Sequence, residues 1–196
     1  GSRRASGAWT GARGAVRVDS ATMATMRFDV TQDIPAGLDR LWSALGRTDY
    51  VQKKYRSLGS TSLHIRKFSC DAELIEVEND RQAAVARDAL PFWARVFSKE
   101  KQAMRHHTRW RRIDRDRVDV EIDIRALGMP VRAQGTGSII ERVPGESRLT
   151  LHFDVSSGFG AMRAGVARAF AQQVKHALQA DHAFTLAYLD GRSDPQ

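Results

Sequence analysis

Apolar side chains recur at a four-residue spacing between residues 159 and 189. Met162, Val166, Phe170, Val174 and Leu178 fall on one slowly drifting stripe of a helix. A helix over this range is roughly 40 Å long, and its apolar stripe needs a broad cover. The pattern therefore predicts a long C-terminal helix packed on a wide surface.

The chain before this helix shows the polar and apolar alternation of β-strands, interrupted early by two short amphipathic segments. Two short helices are predicted to end near Gly46 and Gly59, with Thr48 capping the second. The solvated face of that second helix is predicted to carry Lys53, Lys54 and Arg56. Strands are predicted at residues 27–34, 62–70, 74–86, 102–124 (a hairpin), 131–143 and 149–155. The predicted fold class is α+β, a curved antiparallel sheet wrapped around a long C-terminal helix, with two short helices after the first strand.

The hairpin at residues 102–124 has a register that satisfies both of its faces. In this register the residue numbers of two cross-strand partners sum to 230. Oppositely charged residues then meet on one face, namely Arg111 with Asp119, Arg109 with Glu121 and His107 with Asp123. The other face then pairs Trp110 with Val120, Thr108 with Ile122 and His106 with Ile124. We interpret the carboxylates of this hairpin as members of a salt-bridge ladder rather than as a cation site.

Composition limits the domain organisation and the class of protein. Residues 1–25 are rich in Gly, Ala, Ser and Arg, and are interpreted as a disordered leader that begins with an expression scar. A single domain is predicted at 26–190, followed by a disordered tail at 191–196. The net charge is +8, but arginines of the leader supply much of the excess. The single cysteine, Cys70, excludes an intramolecular disulfide, and the cytoplasm is the predicted location.

The order of elements resembles the START-like (SRPBCC) superfamily, and more closely an uncharacterised bacterial START-like family. Three stretches carry the resemblance: Leu90-Pro91 followed by Phe92, Trp93 and Phe97; the strand ending at Trp110; and Gly135-x-Gly137 ahead of Ser147-Arg148-Leu149. The resemblance implies a helix-grip fold whose sheet and helix enclose a cavity for a lipid, sterol, polyketide or aromatic compound. It offers no catalytic residue to carry over.

The predicted ligand site is this cavity. Phe92 and Trp93 are expected at the entrance, and Thr108 and Ile122 on the inner face of the sheet. The expected wall consists of Trp110, His106, Met162, Val166 and Phe170. Gly135 and Gly137 are also assigned to the ligand site, because their missing side chains leave room for a close helix or a cavity floor. Adjacent strand residues point to opposite faces, so His106 and His107 cannot hold one metal ion. No metal and no cofactor are predicted.

Three functions stay open from the sequence. The leading hypothesis is a non-catalytic protein that binds a hydrophobic small molecule or lipid, with His106 and Thr108 orienting it. The second is an enzyme of the cyclase or hydratase kind that uses His106 in the same cavity. The third is a basic adaptor that binds an anionic membrane or nucleic acid through the leader and through Arg105, Arg109, Arg111 and Arg112. Under the leading hypothesis no nucleic acid is expected, membrane contact is weak, and the oligomeric state is undecided.

Overall fold

The computed structural model describes residues 24–84 and 101–192. The chain forms β1 (Ala24–Ile34), α1 (Leu38–Leu45), α2 (Thr48–Ser57), β2 (Ser60–Cys70), β3 (Leu74–Ala84), β4 (Lys101–Arg112), β5 (Arg117–Ala126), β6 (Val131–Val143), β7 (Glu146–Ser157) and α3 (Arg163–Leu189). A short 3-10 turn at Gly160–Met162 leads into α3.

The seven strands form one curved antiparallel sheet in the order β1-β7-β6-β5-β4-β3-β2. The first strand joins the last, so β1 and β2 are the two edges. The long helix α3 packs on β1, β7 and β6, while α2 packs on β2 and on α3 itself. This arrangement confirms the predicted fold class and the position of the two short helices after the first strand.

The predicted hairpin register is confirmed, but most of its expected charge pairs are not formed. Arg111 faces Asp119, Arg109 faces Glu121 and His107 faces Asp123 along the backbone. Of these, Arg109 and Glu121 form an ion pair at 3.2 Å. The other two carboxylates find partners on their own strand, Asp119 with Arg117 and Asp123 with Arg125, and Asp123 also pairs with Arg132 of β6. His107 pairs instead with Glu76 of β3.

The helical stripe predicted from four-residue spacing is wrong at its N-terminal end. Met162 precedes α3 and is 39% exposed, and Val166 is only partly buried. The buried positions of α3 are Ala167, Phe170, Ala171, Val174, Phe184 and Thr185. A strict four-residue step rotates about 40° per repeat around a helix of 3.6 residues per turn, so such a stripe leaves the buried face after a few steps.

The short helices differ from the prediction at their caps and on one face. The N-cap of α2 is Arg47, without a capping side chain, and Thr48 is the first helical residue. The first turn of α1 is capped from a distant strand, since the Leu38 N–H donates to Glu141 Oε2 at 2.7 Å.

Lys54, predicted to be solvated, is 6% exposed. It follows Tyr50 by four residues and Val51 by three, which places it on their buried face.

The two glycines of β6 allow a close approach of strand β7. A Cβ at Gly135 would lie 2.6 Å from the ring of Phe153, which stacks on Phe28 with a centroid distance of 5.0 Å. A Cβ at Gly137 would lie 1.9 Å from the carbonyl oxygen of Thr150. The predicted close approach at this pair is therefore present, but its other side is the neighbouring strand.

Candidate ligand-binding cavity

A cavity of about 100 Å³ lies between the inner face of the sheet and the helices α2 and α3. Most of its lining is apolar. The apolar side chains come from every layer of the fold and include Ile34, Leu41, Leu45, Trp110, Val120, Ile122, Ile124, Ile139, Leu151, Val174 and Leu178. An engineered apolar cavity of about 150 Å³ holds a benzene molecule, so the space suits one small ring or the end of a longer ligand.

One end of this cavity is polar and centres on the ring of Tyr55. Lys54 Nζ lies 5.2 Å from the centroid of that ring, and the guanidinium carbon of Arg81 lies 5.4 Å from it. The imidazole of His106 contacts the same ring edge-on, with a centroid distance of 5.6 Å. Two cations and a histidine thus converge on one buried aromatic ring.

Lys54 has a carboxylate partner. Its Nζ lies 3.3 Å from Asp181 Oδ2, with 8% of the Lys54 side chain and 31% of the Asp181 side chain exposed. Burial alone would lower the pKa of Lys54, but the Asp181 carboxylate together with Tyr55 and Tyr50 holds that pKa above its ordinary value. The second carboxylate oxygen, Oδ1, is buried without a hydrogen-bond partner. Lys54 is therefore a charged group inside the cavity at neutral pH.

Arg81 donates from Nε to Nε2 of His106 at 3.0 Å and from a terminal nitrogen to Ser60 Oγ at 3.3 Å. Both partners are uncharged. Burial, together with the charges of Arg81 and Lys54, holds the pKa of His106 well below its ordinary value. Because Nε2 accepts a hydrogen bond, the proton of the neutral ring is assigned to Nδ1. The histidine is a neutral hydrogen-bonding group in this site.

Asn79 adds an unsatisfied amide beside this polar end. It is 1% exposed, and neither its Nδ2 nor its Oδ1 has a hydrogen-bond partner among the described residues. Its backbone pairs with that of His106, and it lies two residues before Arg81 on the same face of β3. Buried amides are rarely left unpaired, and exceptions call for a specific explanation.

The structure gathers some of the predicted site residues and separates others. His106, Thr108, Trp110 and Ile122 all line the cavity. The other described members of the predicted site, Gly135, Gly137, Met162, Val166 and Phe170, are not among the residues that line it. Phe92 and Trp93 lie outside the described residues. A binding role for any of these residues stays a prediction.

Sequence reasoning missed Lys54, Arg81 and Asp181. Each occupies a position that the pattern of its own element assigns to the buried face. Arg81 continues the inward alternation of Ile75 and Val77 along β3, and Asp181 follows Val174 by seven residues, two turns along α3. In all three cases, a charged residue stands at a position where the amphipathic pattern expects an apolar one.

Within residues 24–84 and 101–192, no group of three or more His, Cys, Asp or Glu side chains could hold a metal ion. A separate search of the same residues found no helix with the length and hydropathy needed to cross a membrane.

Comparisons with known proteins agree with this architecture. Residues 29–189 match the model of a family described as "Protein of unknown function (DUF2505)". A search of curated proteins found no match.

Solved structures give a similarity of fold alone. The aromatase/cyclase Zhui from Streptomyces sp. R1128 is 14% identical, with a TM-score of 0.57 over 87% of this chain and 97% of that one. Norcoclaurine synthase from Thalictrum flavum, in complex with dopamine and hydroxybenzaldehyde, is 10% identical, with a TM-score of 0.53 over the whole of both chains. Dicamba monooxygenase bound to dichlorosalicylic acid is 15% identical, with a TM-score of 0.52 over 90% of this chain. This chain spans 52% of that monooxygenase, about half its length.

Proposed function

This chain belongs to the family DUF2505, has the helix-grip fold of the START-like superfamily, and, we propose, binds a hydrophobic small molecule between its sheet and its C-terminal helix. The observation that carries the proposal is the cavity of about 100 Å³, whose apolar walls end in a few convergent polar groups. Ligand sites in proteins have this composition, with apolar walls for affinity and few polar groups for orientation.

A small neutral probe tests this proposal without depending on any charged group. Toluene is titrated into the protein while the methyl signals of Ile122 and Ile124, which line the cavity, are followed by NMR. Saturable shifts of these signals are expected. Absence of saturable binding would contradict the proposal.

Matched variants locate the binding. Ala177 lines the cavity, and Ala180, three residues along the same helix, is exposed. Ala177→Phe fills the space and is expected to weaken toluene binding about tenfold or more. Ala180→Phe is expected to leave the affinity unchanged. Extraction of the purified protein with organic solvent, followed by mass spectrometry, then identifies any compound that copurifies.

An enzyme using the same cavity is the second proposal, and the buried His106 facing that cavity is what supports it. The hydrogen bond from Arg81 uses the lone pair of Nε2, which favours binding over general-base catalysis at that atom. His106→Ala separates the two proposals. Loss of turnover with retained binding would favour the enzyme, whereas weaker binding without any turnover would favour the carrier.

The basic-adaptor hypothesis receives less support from the sheet. Arg105 pairs with Asp80 at 2.7 Å, and Arg109 pairs with Glu121. Arg112 lies 2.6 Å from Asp39 and stacks on Trp42. These arginines are therefore engaged within the fold. Binding to anionic vesicles that falls steeply with added salt would nevertheless favour the adaptor.

A further inference from the structure

The polar end of the cavity carries more positive than negative charge. Among the described residues that line it, the Lys, Arg, Asp and Glu side chains are Lys54, Arg81 and a single carboxylate, Asp181. That carboxylate lies beside Lys54. Within the described part of the chain, no carboxylate is at ion-pair distance from Arg81. Burying a charge without a counter-charge is unfavourable, so the site is electrostatically incomplete as it stands.

Resting on the proposed binding function, we propose that the ligand is an organic carboxylate whose acid group binds Arg81 at the Tyr55 end of the cavity. Among the described residues, two of the five guanidinium N–H groups of Arg81 have partners, namely His106 and Ser60. The planar fork of an arginine matches a carboxylate in shape as well as charge. Lys54, which is paired with Asp181, places a second cation beside the same ring.

The hydrogen-bond inventory of the site also favours an acceptor. The neutral imidazole of His106 keeps its proton on Nδ1, since Nε2 is occupied by Arg81. Thr108, two residues along β4, places a hydroxyl on the same cavity wall. A cationic ligand would meet two like charges here, and a neutral hydrocarbon would leave Arg81 without a counter-charge.

The rest of the ligand is apolar and small. The side chains beyond the polar end are Trp110, Ile122, Ile124 and Leu151, and the space is about 100 Å³. This volume accommodates an acid group with one ring or a short aliphatic group attached. The ligand class is thus a compact aromatic or aliphatic carboxylic acid, or a longer acid that enters with its head group first.

The test compares three probes that share one ring and differ in charge. Benzoate, benzyl alcohol and benzylammonium are titrated separately, at neutral pH, and the Ile122 and Ile124 methyl signals report binding. Benzoate is expected to bind about tenfold or more tightly than benzyl alcohol, and benzylammonium to bind least. Equal affinities for benzoate and benzyl alcohol would overturn the proposal.

Variants connect the preference to Arg81. Arg81→Met is expected to remove the advantage of benzoate while changing the affinity for benzyl alcohol less than about threefold. Arg105→Met, on the next strand, is the matched control and is expected to retain the preference. If Arg81→Met does not fold, Arg81→Lys keeps the charge but loses the planar fork, and a reduced preference for benzoate is expected. An unchanged preference in a folded Arg81 variant would overturn the assignment.

Three further outcomes would count against one or both proposals. If toluene binds and Ala177→Phe blocks it, but benzoate shows no advantage, the binding function stands and the carboxylate proposal fails. If neither toluene nor benzoate binds, both fail. Complete displacement of benzoate by chloride at equal concentration would identify a site for inorganic anions only, and would also overturn the proposal.

Discussion

The Nε atom of Arg81 donates a hydrogen bond to Nε2 of His106 across 3.0 Å in the interior of the fold. Both side chains are buried, at 7% exposure each. A protonated imidazole could not accept this bond, and it would add a third positive charge beside Arg81 and Lys54. The hydrogen bond between Arg81 and His106 therefore forms only while the histidine is neutral, so its presence depends on pH.

The first prediction concerns stability between about pH 7 and pH 5. Unfolded His106 takes up a proton near its ordinary pKa of about 6.5, while the folded state holds the pKa of His106 well below that value. The unfolded state binds more protons, so stability falls as the pH falls below about 6.5. The loss is at most about 1.4 kcal/mol per pH unit until the folded pKa is reached. Urea unfolding at several pH values measures it.

His106→Gln removes this contribution, so its free energy of unfolding is expected to depend less on pH in that interval. His152→Gln is the control, because His152 is exposed and pairs with Asp29 on the outer face. The groups that face His106 are Arg81, Lys54 and Tyr55, with Asp181 and His182 also lining the cavity. An identical pH slope in His106→Gln and the unmodified protein would contradict the prediction.

The second prediction concerns Asp181. Asp181→Asn leaves Lys54 and Arg81 without the carboxylate that partly balances them. Breaking a fully buried ion pair costs about 3–5 kcal/mol, and partial exposure of Asp181 reduces the expected loss to about 1–3 kcal/mol. Chemical denaturation measures the change. Asp154→Asn, which removes an exposed partner of Arg27, is expected to cost far less. Equal losses of unfolding free energy in Asp181→Asn and Asp154→Asn would contradict this prediction.

The third prediction concerns the close approach of β6 and β7. Gly137→Ala places a Cβ 1.9 Å from the carbonyl oxygen of Thr150 and 2.9 Å from the Cα of Leu151. Both are backbone atoms, so the strands must separate. A loss of about 3 kcal/mol or more in the free energy of unfolding is expected. At Gly158 the added Cβ would lie 3.2 Å from the Pro130 side chain, so Gly158→Ala is the milder control. Similar melting temperatures for the two variants would contradict this account.

The fourth prediction concerns the cap of α1. Glu141 accepts from the N–H of Leu38 at 2.7 Å and from the N–H of Gly145 at 2.9 Å. These two backbone hydrogen bonds hold the pKa of Glu141 below its ordinary value. In Glu141→Ala, the amide protons of Leu38 and Gly145 are expected to exchange faster with solvent, which hydrogen-exchange NMR measures. Glu146→Ala, at the start of β7, is the control. Unchanged exchange at Leu38 would show that the cap is unnecessary.

The fold was predictable because its signals are local and repeated. Three of these signals follow from neighbouring positions: the alternation along the strands, the turn at residues 114–116, and the hairpin register in which paired residue numbers sum to 230. The structure confirms that register. The charge pairs were less predictable. His107 binds Glu76 on β3 rather than Asp123, because a hairpin register says nothing about which third strand lies alongside.

The site was only half predictable for the same reason. His106, Thr108 and Trp110 were found because they alternate inward on a single strand. The charged groups around Tyr55 come from α2, β3 and α3, and their meeting depends on the packing of distant elements. Their charge also favoured an incorrect assignment to the surface. Lysine and arginine on an amphipathic helix or strand ordinarily lie on the solvated face.

The pairing of β1 with β7 has a consequence for how the protein is made. The ion pair between Asp33 and Arg148 spans 115 residues, and β1 has no strand partner other than β7 among the described elements. At a synthesis rate of about 5–20 residues per second, the first strand leaves the ribosome roughly 6–23 seconds before its partner exists. During that interval its apolar side chains, including Phe28, have no sheet to join. The sheet can therefore close at its β1 edge only when translation nears its end.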